Sequence, residues 1–153
     1  MIYLLTGPIR SGKTTALMQW ASSLKDVSGI LTPDLNGKRQ FLNLANSEYF
    51  HMEAIDGEAE ITIGRFAFSK KNFEKANGII KSATDCKGWL ILDEIGPLEL
   101  NINGFYSSLI HIFKNRNEKM LFVVRESLVE KVCSFFKIEP EKTVTIGQLP
   151  QLF

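Results

Sequence analysis

Apolar positions fall into short continuous runs, and these alternate with stretches whose apolar residues recur at the helical period. Ile2 to Leu5 predicts a buried first strand. Lys13 to about Leu24 predicts a helix, with Leu17, Ala21 and Leu24 on one face and Trp20 beside them. Gly29 to Thr32 reads as a second short strand, and Pro33-Asp34-Leu35-Asn36-Gly37 supplies turn chemistry. Arg39 to Leu44, Tyr49 to Ala54 and Glu60 to Phe68 alternate in part. They read as three strands of a small antiparallel meander, with Asn46-Ser47 and Asp56-Gly57 at the turns. Ser69 is suited to cap the next helix, whose stripe is Phe73, Ala76, Ile80 and Ala83; Gly78 inside it costs about 1 kcal/mol. Trp89-Leu90-Ile91-Leu92 is continuous, as a strand covered on both faces should be. A helix from Gly104 to Arg116, a strand from Met120 to Val124, a helix carrying Leu128, Val132 and Phe136, and a last strand from Thr143 to Ile146 complete the order.

Strands that alternate with helices define an α/β chain with a mostly parallel sheet. The meander, about residues 39–68, breaks that rhythm and reads as an insertion within a single domain of residues 1–153. Hydrophobic residues make up 44% of the chain and charged residues 23%, with a net charge of +1, so the composition carries no general nucleic-acid or anionic-membrane signal. No apolar run approaches the roughly 20 residues of a membrane span, and the apolar start is too short for a signal peptide. Cys86 and Cys133 are far apart and form neither a disulfide framework nor a zinc pattern, which suits a reducing, cytoplasmic setting. His51 and His111 are isolated and read as structural or surface residues rather than metal ligands.

The chemistry begins directly after the first strand. Gly7-Pro8-Ile9-Arg10-Ser11-Gly12-Lys13-Thr14 fits the phosphate-binding P-loop pattern at every fixed position. Its glycines let successive N–H groups curl around one anion, and the helix that opens near Lys13 points its positive end to the same place. Pro8 has no N–H, so the donors come from the residues after it. Lys13 brings a point charge to the β- and γ-phosphates, and Thr14 offers a hydroxyl to magnesium. Arg10 admits two readings, a phosphate contact or a solvated side chain.

A P-loop protein also needs an acid for the metal. Asp93 ends the apolar run and should emerge at the carboxyl edge of the sheet, where it can hold magnesium directly or through water. Glu94 follows, and neighbouring strand residues point in different directions. One carboxylate can therefore serve the metal while the other faces the attacking water as general base. Arg125, directly after the Met120 to Val124 strand, reaches the γ-phosphate side if that strand neighbours the P-loop strand. Arg39 and Arg65 are further candidates for the same task.

These residues resemble the thermophile-type nucleoside triphosphatase family, which is also related to nucleotide kinases. The resemblance runs in order through Thr6-Gly7 to Thr15, Gly29-Ile30-Leu31-Thr32-Pro33, Arg39-Gln40-Phe41 and Leu92-Asp93-Glu94-Ile95-Gly96-Pro97-Leu98-Glu99-Leu100. It implies a three-layer P-loop NTPase sandwich. It also implies magnesium-dependent, base-tolerant hydrolysis of nucleoside triphosphates, ATP and GTP included, to diphosphate and phosphate. Lys13, Thr14, Asp93 and Glu94 carry over, as does the phosphate cradle from Gly7 to Thr15. Glu99 matches the motif too, with the organisation of the following turn as its suggested task. The chain departs from the family pattern at Gln40, in Pro8-Ile9-Arg10-Ser11 and in Thr145-Ile146-Gly147-Gln148-Leu149. The loop interior looks somewhat like that of thymidine kinases, but the paired zinc cysteines of that family are missing.

Two other functions fit the same motifs: a small-molecule kinase, for which the Arg39 to Phe68 segment would be lid or acceptor wall, and a nucleotide-gated binding module. No Gly-x-Gly-x-x-Gly follows the first strand, which removes a dinucleotide-binding reading. Phe41 and Phe66 are candidates to stack on a base, with core packing as the alternative for each.

Overall fold

The computed structural model describes residues 1–8 and 11–152. Its central sheet has eight strands among the described residues. Five of them are β1 (Ile2–Leu5), β2 (Val27–Leu31), β8 (Trp89–Ile95), β9 (Met120–Val124) and β10 (Lys142–Val144), which run parallel in the spatial order β10-β1-β9-β8-β2. Beyond β2 the sheet continues antiparallel through β4 (Lys38–Asn43) to the short β3 (Asp34–Leu35), and β5 (Glu48–His51) also pairs with β4.

Alternate residues of the central strands feed two cores. Leu4, Ile30, Leu90, Leu92 and Phe122 face one core, together with α2 (Lys70–Ser82), α4 (Tyr106–Asn115) and α5 (Val129–Phe136). Leu5, Leu31, Ile91, Leu121 and Val123 face the other, together with α1 (Lys13–Ser22) and the closing 3₁₀ segment Ile146–Gln151. This is the three-layer arrangement expected, and it explains why β8 and β9 are apolar without alternation.

The helices follow their local sequence. Ser69 caps α2, its side chain accepting from the Asn72 N–H at 3.2 Å. Phe73, Ala76 and Ile80 are the buried stripe of that helix. Gly78 lies on the exposed side with nothing within 4 Å of an added methyl group. Gly78→Ala is therefore expected to stabilise the protein by about 0.5–1 kcal/mol, read as a higher urea midpoint with an unchanged slope.

Three elements differ from the sequence reading. Glu60 to Phe68 is not one strand but a separate hairpin of β6 (Glu60–Ile63) and β7 (Phe66–Ser69). Gly64, at φ 56°, supplies the left-handed residue that a two-residue turn requires and folds the run back on itself. The last strand stops at Val144, because Thr145 and Gln148 cap a 3₁₀ helix over Ile146–Gln151. The strand after the second turn is four residues long, Glu48–His51, rather than reaching Ala54. Both cysteines are free. Among the described residues, no helix is long and apolar enough to cross a membrane.

Candidate active site

The P-loop emerges from β1, inside the sheet between β10 and β9. Gly12 turns the chain at φ 81°, and α1 starts at Lys13 with no side-chain cap and no acid in its first turn. That leaves the first N–H groups of α1 available to an anion. The Lys13 ammonium folds back over the loop, donating to Pro8 O at 2.6 Å, Ser11 Oγ at 3.3 Å and Gly7 O at 3.4 Å. The Lys13 charge is thus held above the same turn as the helix N-terminus. Thr15 is exposed. Ile9 and Arg10 lie outside the described residues.

Across the sheet, β8 delivers Asp93 and Glu94. The pairing of β8 with β9 is in register up to Leu92 and Phe122 and resumes one residue displaced at Ile95 and Val124, so Asp93 and Glu94 together oppose Val123. Such a bulge re-aims side chains. Asp93 is 2% exposed, accepts from Thr14 Oγ1 at 2.7 Å and from the Thr32 N–H at 3.3 Å. Burial pushes its carboxyl up, against the opposing effect of those two bonds. Glu94 turns instead to the arginines: Arg125 Nε donates to Oε1 at 2.7 Å, and Arg39 lies 3.7 Å from Oε2.

The sequence-predicted residues are therefore brought together as two clusters that share the Asp93-Glu94 pair. Lys13, Thr14 and Asp93 form one, and Glu94, Arg125 and Arg39 the other. Arg125 comes from the strand that neighbours the P-loop strand, the condition set for its reaching this side. Arg65 does not join them: it is exposed beside the hairpin turn and sits over the Phe66 ring, 5.3 Å from its centroid. Phe41 is fully buried against Phe50, Phe73 and Phe105, so it packs in the core.

Sequence reasoning left Thr32 without a task, although it directly follows β2 next to the strand that carries Asp93. The structure also gives Glu99 a defined place. It is 3% exposed, and its two oxygens accept from the N–H groups of Gly96 and Phe105, both at 2.9 Å. It thereby fastens the turn after Glu94 to the start of α4. A Glu three residues after a potential cap was a usable signal for the first bond, but nothing local announced the second.

Burial raises the Glu99 carboxyl from 4.5 to about 7 despite those bonds. The folded state then binds more protons than the unfolded state between those two values, so stability falls as pH rises through that window and levels off above it. The size is about 3 kcal/mol. Glu99→Gln is expected to flatten this part of the profile, checked by urea unfolding of both proteins at pH 5 and pH 8. An equal loss in the two proteins would assign the dependence to another group.

Between Glu94 and the β6-β7 hairpin lies a cavity of about 230 Å³. Thr32, Arg39, Asp93, Glu94 and Arg125 line its polar end. Asp93 and Thr14 form an oxygen-only donor set, and among the described residues no ion pair reaches the Asp93 carboxyl. A hard divalent cation fits that set. Among the described residues there is no cluster of three or more His, Cys, Asp or Glu. This suits an ion held by one or two side chains together with substrate phosphates rather than by a dedicated cage.

A phosphate cradle at the end of an inner parallel strand, with an acid two strands away at the same edge, defines a P-loop nucleotide-binding protein. Residues 2–149 match the family model described as NTPase, and the chain belongs to that family. The chain is 28% identical over 132 residues to the nucleoside-triphosphatase THEP1 of Methanopyrus kandleri, covering 80% of this chain and 72% of the relative. It is 27% identical over 145 residues to the protein of the same name from Archaeoglobus fulgidus, covering 88% and 85%. Its fold is similar to the crystal structure of THEP1 from Aquifex aeolicus, with a TM-score of 0.75 at 19% identity, covering 95% of this chain and 90% of the other. It is also similar to the solution structure of a human cancer-related nucleoside triphosphatase, with a TM-score of 0.72 at 21% identity, covering 97% and 93%.

Proposed function

We propose that this NTPase-family protein hydrolyses nucleoside triphosphates to diphosphate and phosphate with magnesium, tolerates several bases, and uses Glu94 as the general base. The observation that carries this reading is the divergence of two adjacent carboxylates. Asp93 is bonded to Thr14 of the P-loop, while Glu94 faces an open cavity between two guanidinium groups. Supporting it, the relatives are designated nucleoside triphosphatases.

In this mechanism the loop N–H groups and the uncapped start of α1 bind the phosphates, and Lys13 swings from the loop carbonyls onto the β- and γ-oxygens. Thr14 and Asp93 would hold magnesium, which would supply charge neutralisation for the phosphate oxygens. Glu94 orients a water and takes its proton as the water oxygen bonds to the γ-phosphorus. The bond from that phosphorus to the β,γ-bridging oxygen breaks, and the electron pair leaves with the diphosphate. Arg125 and Arg39 position the Glu94 carboxylate and stabilise charge on the transferring group.

The match over residues 2–149 supports a single working domain, and the free cysteines suit a cytoplasmic setting. The test is phosphate release from ATP, GTP, CTP and UTP, with and without magnesium and without any acceptor. Metal-dependent release from more than one of them is expected. Tight binding of all four with no release in magnesium would overturn hydrolysis as the function.

A further inference from the structure

The cavity beside Glu94 is larger and more apolar than a site for one water requires. Away from its polar end its wall is Met52, Ile63, Phe66, Phe68, Phe73 and Phe105, drawn from the meander, the hairpin, α2 and the segment before α4. Asp93, which accepts from Thr14 of the P-loop, lines it together with Glu94, so its polar end adjoins the phosphate cradle. At its polar end the Glu94 carboxylate stands between the Arg125 and Arg39 guanidinium groups, each partly exposed to the cavity.

We propose that this chamber is a second ligand site, which takes a small aromatic alcohol and presents its hydroxyl to Glu94 in place of water. The proposal rests on the reading of Glu94 as the base that faces the γ-phosphate. The volume is below the roughly 300–1,000 Å³ of drug-sized sites, so it suits a single ring with a short arm. The wall favours a hydrocarbon ring over a nucleobase, because a base would leave its donors and acceptors unpaired against phenylalanines. The buried Glu99 carboxyl also lines the chamber but is committed to the Gly96 and Phe105 N–H groups, so the ligand's hydroxyl is oriented toward Glu94 and the guanidinium groups. Its oxygen then forms the bond to the γ-phosphorus and its proton passes to Glu94. The bond from phosphorus to the β,γ-bridging oxygen breaks, and the products are a phosphate monoester and a nucleoside diphosphate.

The test uses 2-phenylethanol and thymidine as probes with the intact protein, magnesium and a nucleoside triphosphate. Binding is followed by titration calorimetry and products by phosphorus NMR. Phenylethyl phosphate is expected, with an equivalent loss of inorganic phosphate. Ile63→Trp, which narrows the apolar end of the chamber and leaves the space beside Glu94 open to water, and Phe66→Ala, which opens an exposed part of its wall, should each weaken alcohol binding by about tenfold. Both should leave acceptor-free phosphate release within about twofold of wild type, since neither touches the phosphates. Two variants at differently buried positions guard against one that fails to fold. Absence of the ester at saturating alcohol, its formation unchanged in both folded variants, or phosphorylation of thymidine in its place would each overturn the proposal. Ester without acceptor-free phosphate release would overturn hydrolysis as the function but uphold the site. Phosphate release without ester would do the reverse.

Discussion

Glu94→Gln is expected to lower phosphate release by about 100-fold or more while nucleotide binding persists. The amide has nearly the shape of the carboxylate, and its oxygen can still accept from Arg125 Nε, which now lies 2.7 Å from Glu94 Oε1. What it cannot do is take a proton from water. Asp93, Thr14 and Lys13 keep their own contacts, none of which includes Glu94, so the P-loop and the oxygens proposed to hold magnesium remain. The loss should therefore fall on turnover rather than on the dissociation constant, measured by steady-state release beside equilibrium titration with a fluorescent nucleotide. Loss of both together would show that Glu94 serves binding, and an unchanged rate would remove it as the base. Removal of the negative charge also leaves Arg39 without the carboxylate it faces at 3.7 Å, so nucleotide binding is expected to hold or tighten slightly.

The Asp93-Glu94 pair was legible because it depends on a local fact, an apolar run that ends in two acids, whereas the bulge in the pairing of β8 with β9 that sets their directions was not. The P-loop was legible for the same reason, since its fixed residues are close in sequence. The identity of the arginine partners was not. Arg39 and Arg65 are the same residue type on the same segment, and nothing local separates them. Antiparallel pairing of β4 with β2 carries Arg39 to the sheet edge beside Glu94, whereas Gly64 folds the next run into a hairpin and leaves Arg65 exposed beside its turn. Arg116 shows the same limit from the other side. At the end of a predicted helix it resembles a solvated base, yet it is 4% exposed and donates to the carbonyls of Ala83, Thr84, Cys86 and Gly88. The aromatic wall of the cavity was also hidden, because Phe68, Phe73 and Phe105 have the periodicity of core residues. Whether an apolar face meets another face or a void is decided by packing between distant elements.

Gly29→Ala should destabilise the protein by about 3 kcal/mol or more, a large share of the roughly 5–15 kcal/mol available to a domain. Gly29 sits in β2 opposite Ile91 of β8, at φ 120°, and a methyl group there would lie 1.9 Å from the Ile91 carbonyl oxygen. That atom belongs to the backbone of a central strand, so it cannot move aside as a flexible side chain would. Relief requires β2 to separate from β8, and it also disturbs the bond from the Leu44 N–H to Gly29 O that joins β2 to the meander. The expected result is a urea midpoint well below wild type, with thermal unfolding lowered by about 10 °C. Gly78→Ala, which adds the same methyl group at an open helical position, should move the midpoint the other way. A Gly29→Ala protein within about 1 kcal/mol of wild type would show that β2 and β8 can part at little cost. Because Thr32, directly beyond β2, donates to Asp93, the folded fraction of the variant should also release phosphate more slowly. The same close approach of two strands that stabilises the sheet thus holds the Asp93 carboxylate in place against Thr14 of the P-loop.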